Sequence, residues 1–139
     1  MSNEVVRQFF KNYLLIREEG FDSFIREQSK LFSPDLITIA SDTRGTFTYY
    51  GIEGFFEGMV AWSKYFFVSG QSFHEYLEKA PTHVLVRMHG ELKLLEPIHG
   101  TNVSKEDQHD WTQEFELSGN LITKVTVRLS FQSPDKSRS

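Results

Sequence analysis

The chain has 139 residues, the length of one domain, and enough to bury a core without covalent staples. It has no cysteine, which removes disulfides, thiol catalysis and cysteine-type zinc sites. Its 15 basic and 19 acidic residues give a net charge of −4, which disfavours nucleic acids and anionic membranes as partners.

The N-terminus, MSNEVVRQ, has no basic region followed by an apolar run, and no apolar stretch approaches the ~20 residues of a membrane span. The expectation is a cytoplasmic protein. Aromatic residues make up 14% of the chain, with 13 Phe, so the interior is expected to be wide and lined with rings.

In residues 4–18, Val6, Phe9, Phe10, Tyr13 and Leu14 fall on one helical face, with Gly20 as the stop. Asp22 is placed to cap a second helix burying Phe24, Ile25, Gln28, Leu31 and Phe32, which Pro34 would end. Leu36–Ala40 and Thr46–Tyr50 read as two strands joined by a turn over Ser41–Gly45. Gly51 then opens the strongest helical pattern, with Ile52, Phe55, Phe56, Met59, Val60, Ser63, Phe66 and Phe67 on one face.

Ser72–Lys79 and Thr82–Leu95 read as a third and a fourth strand. In the fourth, Val84, Val86, Met88, Leu92 and Leu94 share a face, and Leu85 is the apolar exception on the other. The polar stretch 96–108 is expected to form a mobile lid or rim. From His109 to Phe131 two arms alternate around Ser118-Gly119-Asn120 as a long hairpin. Trp111, Gln113, Phe115 and Leu117 face inward on one arm, and Leu121, Thr123, Val125, Val127, Leu129 and Phe131 on the other. Residues 1–132 are read as one domain and 133–139 as a disordered tail.

Three amphipathic helices and a mostly antiparallel sheet with one apolar face make an α+β domain. The helices pack in the concave face of a strongly curved sheet, forming a cone-shaped α+β barrel whose open end is a natural ligand site.

Four local features resemble the nuclear transport factor 2-like superfamily, which includes ketosteroid isomerase, scytalone dehydratase, limonene epoxide hydrolase and SnoaL-like polyketide cyclases. They are Tyr13 followed by Gly20, the passage from Phe32 to Ile39 (FSPDLITI), Gly51-Ile-Glu-Gly-Phe, and the final hairpin with its turn glycine. In order and spacing they cover residues 5–131. The superfamily hosts many unrelated functions, so the resemblance implies a fold and a pocket rather than a reaction.

Carried over by position, the resemblance puts Tyr13 at the tyrosine of ketosteroid isomerase. The carboxylate base falls at Ala40, which cannot take a proton, and Asp42 is the nearest carboxylate on that strand face. The protonated second acid falls at Gln113, whose amide can donate without a raised pKa. His74 resembles a histidine of many SnoaL-like chains, and its ordinary pKa near neutrality suits an acid or base.

Each candidate has a plainer structural reading. Tyr13 is equally a core ring, Asp42 a turn residue, Gln113 a satisfied buried amide, and His74 part of a solvated face with Ser72 and Tyr76. Tyr13, Asp42, His74 and Gln113 are the candidate catalytic residues; Tyr13, Phe56, Met59, Trp62, Met88, Trp111, Gln113 and Val127 are the candidate ligand wall.

No metal is expected. His83 and His89 are six residues apart on one strand, roughly 20 Å, and His99, His109, Asp107 and Asp110 show no recognised ligand spacing. Nor is there a phosphate-binding loop or a nucleophile elbow.

Two functions compete. One is a cofactor-independent cyclase, isomerase or dehydratase acting by proton transfer on a small apolar or aromatic molecule. The other is a non-catalytic ligand-binding or protein-interaction module. A homodimer through the outer sheet face is expected, with Leu85 among His83, Arg87 and His89 at its centre.

Overall fold

The computed structural model describes residues 2–42, 45–64, 66–94 and 106–129, with side chains for residues 4–42, 45–64, 74–90 and 110–129. The elements run α1 (Ser2–Lys11), α2 (Leu14–Glu18), α3 (Phe21–Ser29), β1 (Phe32–Asp42), β2 (Gly45–Tyr50), α4 (Gly51–Ser63), β3 (Phe66–Ala80), β4 (His83–Leu94), β5 (Glu106–Ser118) and β6 (Leu121–Leu129). The strands form one curved, open sheet in the order β2-β1-β6-β5-β4-β3. All pairs are antiparallel except β1 with β6. The α+β expectation is met, with a sheet that curls without closing into a barrel.

The core lies on the concave face. Phe9 of α1 is its hub, with its ring centroid 4.9 Å from Phe115, 5.8 Å from Phe55 and 6.1 Å from Phe32. Val84, Val86, Phe115, Ile122 and Val125 are fully buried beneath it. α3 joins through a buried amide chain. Gln8 Nε2 donates to Asn12 Oδ1 (2.6 Å), Asn12 Nδ2 to Gln28 Oε1 (2.8 Å), and Gln28 Nε2 to the Phe9 carbonyl (3.0 Å). Both polar ends of Asn12 and of Gln28 have a partner, so these two buried amides are structural.

Several elements depart from the sequence pattern. The first helix breaks at Asn12–Tyr13, which turns Leu14 outward to 57% exposure. Gly20, at φ 103, and not Asp22, is the N-cap of α3; that conformation favours glycine, and Asp22 sits in the first turn instead. Pro34 does not end a helix. It lies in β1, where the register with β6 jumps between Phe32 and Ile37, a place where a strand tolerates a residue with no N–H. α4 ends at Ser63, so Phe66 and Phe67 start β3, and Val60 is 49% exposed.

In the final hairpin Thr123 is a bulge: Glu116 pairs with Lys124 but Leu117 with Ile122, and Thr123 Oγ1 donates to the Glu116 carbonyl (3.0 Å). The extra residue reverses the alternation below it. Ile122 is buried and Leu121 is 39% exposed, the opposite of the simple period of two, while Val125 and Leu129 stay inward.

The glycines of GIEGFFEG have a packing role. A Cβ on Gly58 would lie 2.8 Å from Tyr49 Cδ2, and one on Gly54 3.2 Å from the Tyr49 carbonyl carbon. They let α4 press onto β2. Residues 95–105, most of the expected lid, lie outside the described residues, as do 130–139; Glu106–Gln108 begin β5. Among the described residues no helix is long and apolar enough to cross a membrane.

Candidate functional site

Strand register arranges the concave face in rows. The innermost is Thr38, Val125, Phe115 and Val84, all buried. The next is Ala40, Val127, Gln113, Val86 and Tyr76, and here all but Val86 are partly open. Beyond it Leu129, Trp111 and Met88 close again at 2%, 5% and 7% exposure, with His74 half-buried at the end. Among the described residues this row is partly exposed and lies between two mostly buried ones on the apolar face. Phe10, Tyr13, Phe56, Met59, Trp62, Tyr76 and Val127 pack against the core while keeping some exposure, as pocket walls do.

Gln113 occupies the middle of the open row. Its amide has no hydrogen-bond partner among the described residues, and its Oε1 is sealed from water. Thr38 Oγ1 is the other buried oxygen in this condition. An unpartnered buried acceptor is costly, which makes Gln113 unlike the satisfied amides of Asn12 and Gln28.

Tyr13 packs its ring 4.9 Å from Phe24 and 5.6 Å from Phe9. Burial raises its pKa far above the ordinary phenol value, so it stays protonated and is a donor rather than a base. No direct hydrogen bond joins Tyr13 to Gln113.

His74 belongs to a cluster with Phe10, Tyr76 and Arg7, three residues the sequence reading did not select as site residues. Its ring lies 4.7 Å from Phe10, and its Nδ1 is 3.5 Å from the Tyr76 hydroxyl. The Arg7 guanidinium sits over the Tyr76 ring at 3.9 Å. Burial lowers the His74 pKa, favouring neutral imidazole; burial also raises that of Tyr76, which Arg7 partly offsets. Tyr76 and Gln113 flank Val86 in one row, so their backbones are roughly 10 Å apart.

Asp42 lies at the far end of β1, paired with Gly45. Four strand spacings, roughly 19 Å along the sheet, separate β1 from the strand of His74. The fold therefore groups His74, Tyr76 and Gln113 and leaves Asp42 apart.

The outer face is a lattice of charges. Glu114 accepts from His83 Nε2 and Arg128 Nη1, both at 2.8 Å, and these bonds hold its carboxyl below the usual range. His89 meets Asp110, and Arg87 meets Glu75 at 3.8 Å. A depression of about 340 Å³ is lined by Glu75, Arg87, Met88, His89, Asp110, Trp111 and Thr112. Leu85 is only 8% exposed, already covered within its own chain. Among the described residues no three His, Asp or Glu side chains gather as metal ligands; His99 and the side chains of Asp107 and His109 lie outside them.

A Burkholderia xenovorans protein described as NTF2-like has a TM-score of 0.63 to this chain at 16% identity, over 91% of this chain and 89% of that one. A Burkholderia pseudomallei NTF2-like protein of unknown function reaches 0.63 at 8% identity, over 99% and 95%. A Mesorhizobium loti protein described as a SnoaL-like polyketide cyclase reaches 0.59 at 12% identity, over 91% and 97%. No family model matches the chain, and no curated protein does. Likeness at such identities establishes the fold.

Proposed function

From the nuclear transport factor 2-like fold that this chain adopts, we propose a small-molecule-binding domain whose concave hollow receives an apolar or aromatic ligand carrying one hydrogen-bond donor. The supporting observation is the Gln113 amide, with its Oε1 buried and unpartnered among the described residues in a partly exposed row of the apolar face. Turning of the partly exposed Gln113 side chain would bring this oxygen to a ligand hydroxyl or N–H, and the rings of Trp62, Phe10 and Tyr76 would supply apolar contact.

Turnover in such a hollow would be proton transfer without a cofactor, as in a cyclase, isomerase or dehydratase. Neutral His74 is the group suited to accept the proton. The competing non-catalytic reading draws on Ala40, which occupies the open row where the resemblance places a carboxylate base, and on the separation of Asp42 from His74.

A thermal-shift and tryptophan-fluorescence screen of hydroxylated aromatic compounds tests binding in wild type and in Gln113→Met. The proposal expects hits that stabilise wild type and lose at least about tenfold in affinity with Gln113→Met, the worth of one hydrogen bond. Hits that bind both proteins equally would remove Gln113 from the site. NMR of each hit over hours separates turnover from binding.

A further inference from the structure

Among the described residues, strands β2 and β3 end the sheet on its two sides. An edge strand presents unpaired backbone N–H and C=O groups, and natural edges are usually defended by charge, proline or a bulge. β3 is defended: Glu75, Glu78 and Lys79 stand exposed along its second half, and in its uncharged first half the register with β4 shifts between Ser69 and Phe73. β2 is not. It reads GTFTYY, without charge or proline, and its register with β1 runs unbroken from Ile37↔Tyr50 to Asp42↔Gly45. Five of its six residues are exposed, with Tyr50 at 72% and Phe47 at 37%, and Val60 on the overlying helix is 49% exposed.

We propose that β2 pairs antiparallel with β2 of a second copy of this chain, about a two-fold axis through Thr48. Opposed residues of an antiparallel pair point to the same side, which restricts the register. Phe47 and Tyr49 share the concave side through their partners Ala40 and Thr38, while Thr46, Thr48 and Tyr50 point outward. A register centred on Thr48 sets Phe47 against Tyr49 and Thr46 against Tyr50, each twice, and Thr48 against itself. These are favoured aromatic and β-branched cross-strand pairs. Centring on Phe47 would leave Tyr50 without a strand partner.

An uncharged strand meets its own copy without repulsion, whereas the charged β3 edge resists the same pairing. The assembly therefore closes at two chains instead of growing into a fibre. This edge also replaces the outer face as the seam: Leu85 is already buried there, and the surrounding charges are paired within the chain.

Light scattering on the full chain at micromolar concentration tests the proposal. Wild type is expected at twice the 16.2 kDa chain mass. Thr48→Lys and Thr48→Glu, each placing like charges on the axis, are expected as monomers with unchanged circular dichroism, and an equimolar mixture of the two should recover the dimer. A monomeric wild type, a dimeric Thr48→Lys, or a mixture that stays monomeric would each overturn it. Should the variants melt early, hydrogen exchange on wild type decides: the β2 amides should slow as concentration rises, and concentration-independent exchange refutes the pairing.

Discussion

Replacing Gln113 by Met keeps an unbranched side chain of similar length and removes both polar ends. In the folded protein Gln113 sits between Val86 and Val127 in the register, with Trp111 and Phe115 two residues away on the same face. Its Oε1 is buried with no donor among the described residues, so folding strips it of the hydrogen bonds it makes in the unfolded chain. An unsatisfied buried polar group costs about 1–3 kcal/mol, and removing it returns much of that. The side chain as a whole is only partly buried, so the lower end applies, a gain of about 1 kcal/mol. In a domain of this size that raises the melting temperature by about 3–5 °C. Urea denaturation checks it through the midpoint, with an unchanged slope showing that the native state kept its compactness. A structural amide predicts the opposite sign. If Gln113→Met is less stable than wild type by 1 kcal/mol or more, Gln113 holds the fold together and its proposed role toward a ligand falls.

Gly58→Ala adds a Cβ 2.8 Å from the Tyr49 ring, and overpacking of about 1–3 kcal/mol should outweigh a helix-propensity gain of about 1 kcal/mol; a stabilised variant in denaturant melts would show that the Tyr49 ring yields freely. His74 has its pKa lowered by burial, so its neutral form contributes stability above the ordinary value of 6.5 that is lost as pH falls from there through the folded value. His74→Gln should remove that acid-side loss in melts between pH 7 and about 5, and identical pH profiles would contradict the burial of the ring. Glu114 has its pKa lowered first by His83 and then by Arg128, so its contribution holds above the ordinary 4.5 and is lost as pH falls below it; Glu114→Gln should flatten stability in that acid range, read by the same melts.

Much of the fold was legible because one buried face writes a period on the sequence. The alternation of Trp111, Phe115, Val125, Val127 and Leu129 required a half-buried hairpin, and the structure keeps each of these on the concave side. Legibility failed where a single residue changed the phase. Thr123 is unremarkable as a letter, yet its bulge exchanges Leu121 for Ile122, because a period of two carries no memory across an inserted residue. Pro34 misled in another way: the rule that proline ends a helix is sound, but a strand irregularity is an equally good place for a residue with no N–H.

The site was less legible because its useful groups converge only through tertiary packing. Gln113 stood out as a polar letter in an apolar alternation, and its lack of a partner gives that letter physical content. Arg7, Phe10 and Tyr76 gave no such signal, and His74 was marked by the family resemblance and its titration range instead. Arg7 and Phe10 are one helical turn apart in α1, His74 and Tyr76 are alternate residues of β3, and only the packing of α1 across the sheet brings a cation over the phenol and a phenyl ring against the imidazole. Asp42 shows the converse. It is close to Ala40 in sequence and on the same strand face, but the order β1-β6-β5-β4-β3 puts the width of the sheet between it and His74. A family position filled by alanine is thus not rescued by the nearest carboxylate. On the proposed reading, proton transfer would be organised from the β3 and β5 side, where His74, Tyr76 and Gln113 stand.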